Sequence, residues 1–167
     1  MDNICHTLVG AALAEAGLKR QSAYARATLM IAANIPDLDV LVFATGTPSV
    51  SFRRGWTHGV VGQALLPIAV TLAVLAWARW RRPSGPRLVD GSPPVRAGAL
   101  LVLAYLGLYS HVLLDFLNNY GVRLLAPVEW RWFYGDAVFI IDPWLWLTLA
   151  AGVWLSWRCH GDRKSVV

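Results

Sequence analysis

The chain has 167 residues, of which 56% are hydrophobic and only 15% charged, and its mean hydropathy is +0.47. Those values lie on the membrane side of the soluble-domain average, and a few spans of about 20 residues would consume most of the length, so a separate soluble catalytic domain is excluded. The net charge of +5 and pI near 9.7 could suggest nucleic acid, but the arginines flank apolar spans, the pattern of the positive-inside bias, so no nucleic-acid partner is expected.

Residues 3–18 place Ile4, Leu8, Ala11, Ala12 and Glu15 at helical spacing, and Gly17 ends the run before Lys19 and Arg20. This reads as a short or half-inserted membrane helix. Because it opens on Asp2 and is interrupted by Glu15, it is not an ordinary signal peptide and is expected to be retained. Residues 24–44 form a second apolar stretch, interrupted by Asn34, Pro36, Asp37 and Asp39. Residues 57–78 make a third and residues 97–118 a fourth, the latter running through Tyr109, His111 and Asp115. Residues 138–157 make a fifth, opened by Asp142 and Pro143, a pair suited to a helix start. The expected fold is therefore all-α: a single domain over residues 1–167, an integral membrane bundle of about five helices, one short and N-terminal and one broken at the NIPDLD segment.

The stretch from Arg79 to Arg96 holds five arginines among prolines and glycines, so it reads as a cytoplasmic loop. Lys19, Arg20 and Arg26, and then Arg158, Arg163 and Lys164, fall on the same side when the spans alternate. The N-terminus, residues 45–57 and residues 119–137 then face outward. Cys5 and Cys159 come out at opposite membrane faces, which argues against a disulfide. Nine tryptophans, most of them near span ends, fit aromatic belts at the two interfaces.

Asp37, Asp39 and Asp115 lie inside apolar spans, where a charged group at the bilayer centre costs at least about 2.5 to 3.5 kcal/mol. His111 and Asp115 are four apart and share a helix face, as two ligands of one metal or as a hydrogen-bonded pair holding helices together. In an unbroken helix Asp37 and Asp39 would diverge by about 200°, but Pro36 breaks the helix and lets both turn to one site; alternatively the pair caps a following helix. His6 and His58 sit at the same outward end, whereas His160 lies in the cytoplasmic tail and is excluded. Imidazole and carboxylate donors favour Zn²⁺, with Mn²⁺ or Fe as alternatives, and six candidates allow one or two ions. Arg53, Arg54 and Arg123 stand on the outer side, against the positive-inside bias, and suit an anionic substrate group or a lipid headgroup. Cys5 beside His6 reads as a free buried thiol.

His6 and Thr7, Asn34 to Asp39, Arg54 to His58, and His111 through Asp115, followed by Asn119 to Gly121, Leu125 to Pro127 and Ile140 to Pro143, resemble in order the LexA-regulated, membrane-bound metal-dependent hydrolase family, the YdjM-like proteins. The order His, Asp, His, then HxxxD is also distantly similar to zinc-dependent phospholipase C, although the further downstream His and Glu ligands of that group are missing and the first His follows an ordinary methionine. The resemblance implies a metal-dependent hydrolase without fixing the substrate; the arginine pattern puts the site on the extracytoplasmic side of a multi-pass, bacterial-type inner membrane protein, and a lipid or lipid-linked phosphoester is the expected substrate. His6, Asp37, Asp39, His58, His111 and Asp115 would bind metal, with Asp142 as an additional or outer ligand. Asp37, Asp39, Asp115 and Arg54 would serve catalysis, and Arg53, Arg54, Arg123 and Asn119 would hold substrate. The rival expectation is a metal transporter or metal-stabilised structural membrane protein using the same groups. Transport needs polar groups along a path across the bilayer, whereas hydrolysis needs only a one-sided pocket.

Overall fold

The computed structural model describes residues 1–45, 54–81 and 93–161. Among them are five α-helices: α1 (Asn3–Glu15), α2 (Ala25–Ala32), α3 (Val60–Arg81), α4 (Ala97–Leu117) and α5 (Pro143–Gly161). A short 3₁₀ turn, Leu18–Arg20, follows α1, and a longer 3₁₀ segment, Ile35–Thr45, follows α2. The protein is all-helical; its only β pairing in the described residues is two isolated bridges, Asn118 with Val138 and Val122 with Phe133.

Each boundary has a local cause. Asp2 caps α1 by accepting from the backbone N–H groups of Ile4 and Cys5 at 2.9 and 3.0 Å. Gly17, at φ 115°, supplies the left-handed turn beyond the end of α1. The stretch expected as one broken span divides into α2 and the 3₁₀ segment. Pro36 removes a helical donor there, and the Asn34 amide bonds back to the Met30 carbonyl and across to the Thr7 hydroxyl at 2.8 and 3.0 Å. Asp142 caps α5 through the Leu145 N–H at 3.0 Å.

With 22 and 21 residues, α3 and α4 are about 33 and 31 Å long, and they are the two described helices both long and apolar enough to cross a bilayer. α2 is the central short element, lying between α1 and α4, while α3 packs on α4 and α5 packs on α1. Glycine permits the close approaches: a Cβ on Gly107 of α4 would stand 2.8 Å from the Leu29 carbonyl oxygen, and one on Gly10 of α1 would stand 2.9 Å from Met30 Cα. The buried core between these helices is Leu29, Ala32, Val70, Leu100, Leu103 and Ala104. α5 is tied to both ends of α1, because the indole N–H of Trp146 donates to Asp2 and that of Trp157 donates to Glu15, each at 3.0 Å. Glu15 also pairs with Lys19 and Arg26.

Candidate metal centre

Four chain segments end at one end of this bundle. The N-terminus of α1 brings His6, the 3₁₀ segment after α2 brings Asp37 and Asp39, the turn before α3 brings Arg54, Thr57 and His58, and the last two turns of α4 bring His111 and Asp115. Asp37, His58, His111 and Asp115 are all buried and offer ligand atoms within 4.8 Å of one another.

The histidine tautomers follow from the outer partners. Nδ1 of His111 lies 2.7 Å from the Ala33 carbonyl oxygen, which can only accept, so that nitrogen carries the proton. The Thr57 hydroxyl donates to Asp39 at 3.1 Å and stands 2.9 Å from Nδ1 of His58; its single proton goes to the carboxylate, so His58 Nδ1 donates to it. In the neutral rings both Nε2 atoms are therefore bare lone pairs, and they face each other at 3.0 Å. Asp115 Oδ2 stands 3.3 Å from His58 Nε2 and 3.6 Å from His111 Nε2, and Asp37 Oδ1 stands 3.9 Å from His111 Nε2. Donors around a tetrahedral Zn²⁺ at bond lengths of 2.0 to 2.2 Å lie about 3.4 Å apart, so these separations suit one ion. The fit is reinforced by what the protein leaves unbonded: Asp37 Oδ1 and Asp115 Oδ2 are buried without a hydrogen-bond partner. This buried Asp, His, His, Asp group can hold a metal ion.

The remaining candidates take other positions. His6 stacks on His111 with ring centroids 3.8 Å apart, and its Nε2 lies 3.4 Å from Asp115 Oδ1; neither of its ring nitrogens has a hydrogen-bond partner. The Met1 amino group pairs with the same Asp115 oxygen. Asp39 lies outside the four-residue group: its Oδ2 accepts from the Arg54 backbone N–H at 2.7 Å and from Thr57, while its Oδ1 is buried without a hydrogen-bond partner. Asp142 caps α5 and lies outside the four-residue group.

Arg54 is buried, with φ 56°, and its guanidinium reaches the Gly121 carbonyl at 3.2 Å and Asp115 Oδ2 at 3.5 Å, beside the Tyr120 ring. Arg123 donates its backbone N–H to Arg54, while its guanidinium lies over the Trp132 and Trp130 rings. Asn119 is exposed, and Arg53 and the His160 side chain lie outside the described residues. Cys5 is buried and free. Three groups escaped sequence reasoning: Thr57, the Ala33 carbonyl and Asn118. Asn118 is fully buried, accepts from Tyr120 N–H at 2.9 Å and has an amide nitrogen without a partner. Its place three residues after Asp115, on the same helix face, was the available signal.

A family model described as YdjM inner membrane protein matches residues 1–167. The chain belongs to the YdjM inner membrane protein family. Comparison with curated proteins and with solved structures returned no match. In this YdjM-family chain the two helices of crossing length both adjoin the site: His58 stands two positions before α3, and His111 and Asp115 lie in the last two turns of α4.

Proposed function

We propose that this protein is a membrane-bound, metal-dependent phosphoesterase acting on a lipid or lipid-linked phosphoester at the outer face of the inner membrane. The observation that carries the reading is the pair of bare Nε2 atoms 3.0 Å apart, flanked by buried carboxylates, with the guanidinium of Arg54 beside them. Asp37, His58, His111 and Asp115 hold the ion and His6 stands next to it as a donor to a second ion; nitrogen and oxygen donors without thiolate favour Zn²⁺ over Mn²⁺ or Fe. A bound divalent cation would lower the pKa of a water and draw charge from the phosphoryl oxygens.

The chain's own groups supply the rest. Arg54 holds a phosphoryl oxygen, its charge fixed by the Gly121 carbonyl and Asp115. Asp37, the least encumbered carboxylate, takes a proton from the attacking water as the new P–O bond forms. The ester P–O bond breaks, and the leaving oxygen takes up the proton that Asp37 removed from the water, which returns Asp37 to its carboxylate form. Asp39 acts through Thr57, keeping the proton on His58 Nδ1.

Membrane side and passage count belong to the same proposal. Lys19, Arg20, Arg26, Arg79, Arg81, Arg96 and Arg158 all fall at the helix ends opposite the metal group, which by the positive-inside bias turns that group outward and makes the chain multi-pass. Between their ends, residues 60–78 of α3 and 97–110 of α4 contain no acidic or basic side chain, which favours a one-sided pocket over a transport path. Purified protein is expected to contain one or two equivalents of zinc and to release phosphate or a phosphorylated headgroup from lipid phosphoesters. Metal-free protein, or metal content unchanged by both His58→Ala and Asp115→Ala, would overturn the reading.

A further inference from the structure

The metal group occupies one side of the 3₁₀ segment; the other side borders a groove of about 650 Å³ between that segment, α2 and α3. One wall is a continuous stripe from Tyr24 through Ile31 to Ile35 and Leu38, and the facing wall runs along α3 from Leu66 past Ala73 to Trp77. Residues three apart eclipse in a 3₁₀ helix, so Ile35 and Leu38 share the groove face while Asp37 points about 120° away, into the metal group. The exposures agree: Leu38 is 51% exposed and Asp37 only 6%. A single turn of backbone therefore forms the boundary of both sites.

Three features specify what fills the groove. Its lining is apolar along its whole length, with only the Tyr24 and Trp77 rings to offer polar tips, both at the end away from the metal group. One wall is a helix of crossing length in an inner membrane protein, so the surrounding phase is hydrocarbon. Eleven residues separate Leu66 from Trp77, about 16 Å of helix that begins six residues inside the outward end of α3, so the groove accommodates the deeper part of an extended chain whose head lies at the metal group. We propose that this groove takes one hydrocarbon chain of the substrate lipid, lying along α3 while the phosphoester sits at the metal group. The substrate class is thereby narrowed to lipids whose hydrocarbon chain is long enough to pass Leu66 and enter the groove, and this inference rests on the phosphoesterase reading.

The test combines two readouts on full-length protein. Ala73→Trp and, independently, Ala69→Trp fill the groove, and Leu72→Trp, on the exposed face of α3, is the control. With dihexanoyl and dipalmitoyl forms of phosphatidic acid and phosphatidylglycerol, the long-chain to short-chain ratio of kcat/KM is expected to fall at least tenfold in both groove variants and to stay constant in Leu72→Trp. In parallel, phosphatidic acid carrying a diazirine midway along one chain is photolysed with the protein in vesicles. Cross-links are expected at residues 66–77 on the groove side and should be lost in the filled variants. Labelling spread over the Leu65 and Leu72 face, or undiminished by filling, overturns the groove. Groove labelling without hydrolysis of any lipid removes the phosphoesterase reading and leaves the groove standing, so the two failures are distinguishable.

Discussion

Nε2 of His58 and Nε2 of His111 face each other at 3.0 Å, and each ring keeps its proton on the other nitrogen, in a hydrogen bond to a fixed acceptor. Two lone pairs at that distance repel unless a cation lies between them. Ion binding and stability are therefore linked, since an ion that binds only the folded state adds about 2.7 kcal/mol at a concentration a hundred times its Kd. Chelation of purified protein is expected to lower Tm in detergent, with Zn²⁺ restoring it. His111→Ala should be insensitive to both treatments.

Thr57 sets the His58 tautomer without touching the ion. Thr57→Val keeps the shape but loses the hydroxyl, and metal affinity is expected to fall about 10- to 100-fold, the usual effect of removing an outer hydrogen bond to a ligating histidine. Thr57→Ser should recover most of it, as titration with a competing chelator would show. Equal affinities in all three proteins would refute the role.

Arg54 is predicted to matter to turnover more than to metal. Arg54→Lys retains a charge but not the planar fork that spans the Gly121 carbonyl and Asp115. A drop in kcat of about 10² to 10³ is expected, with bound metal unchanged by elemental analysis.

Gly107→Ala tests the packing that places the site. The new Cβ would stand 2.8 Å from the Leu29 carbonyl, so α2 must shift from α4, and His111 loses its register with the Ala33 carbonyl four residues further along. Destabilisation of about 1 to 3 kcal/mol is expected by thermal unfolding, together with weaker metal binding.

The helices, the break at Pro36 and the convergence at one end could all be read from apolar periodicity, a missing backbone donor and the placement of arginines. The division of labour between Asp37 and Asp39 could not. It depends on the break being 3₁₀ rather than irregular, because two residues of 3₁₀ turn about 240° and send the second carboxylate toward the Thr57 hydroxyl and the Arg54 N–H, both some fifteen or more positions away in sequence. The burial of Asn118 was hidden for a similar reason: which of two adjacent amides is buried depends on where α4 stops, and the helix ends at Leu117. How the second stretch divides, with eleven residues of 3₁₀ after an eight-residue α2, is not legible from hydropathy, which registers composition and not the hydrogen bonds of Asn34.

The four-residue metal group is drawn from positions 37, 58, 111 and 115, a separation nearly half the chain. During synthesis the first two donors enter the membrane well before α4 exists, and they carry one imidazole and one carboxylate between them, too few to hold an ion firmly. All four donors would therefore come together only when α4 has inserted alongside α2 and α3, so that helix association would itself gate the loading of an ion.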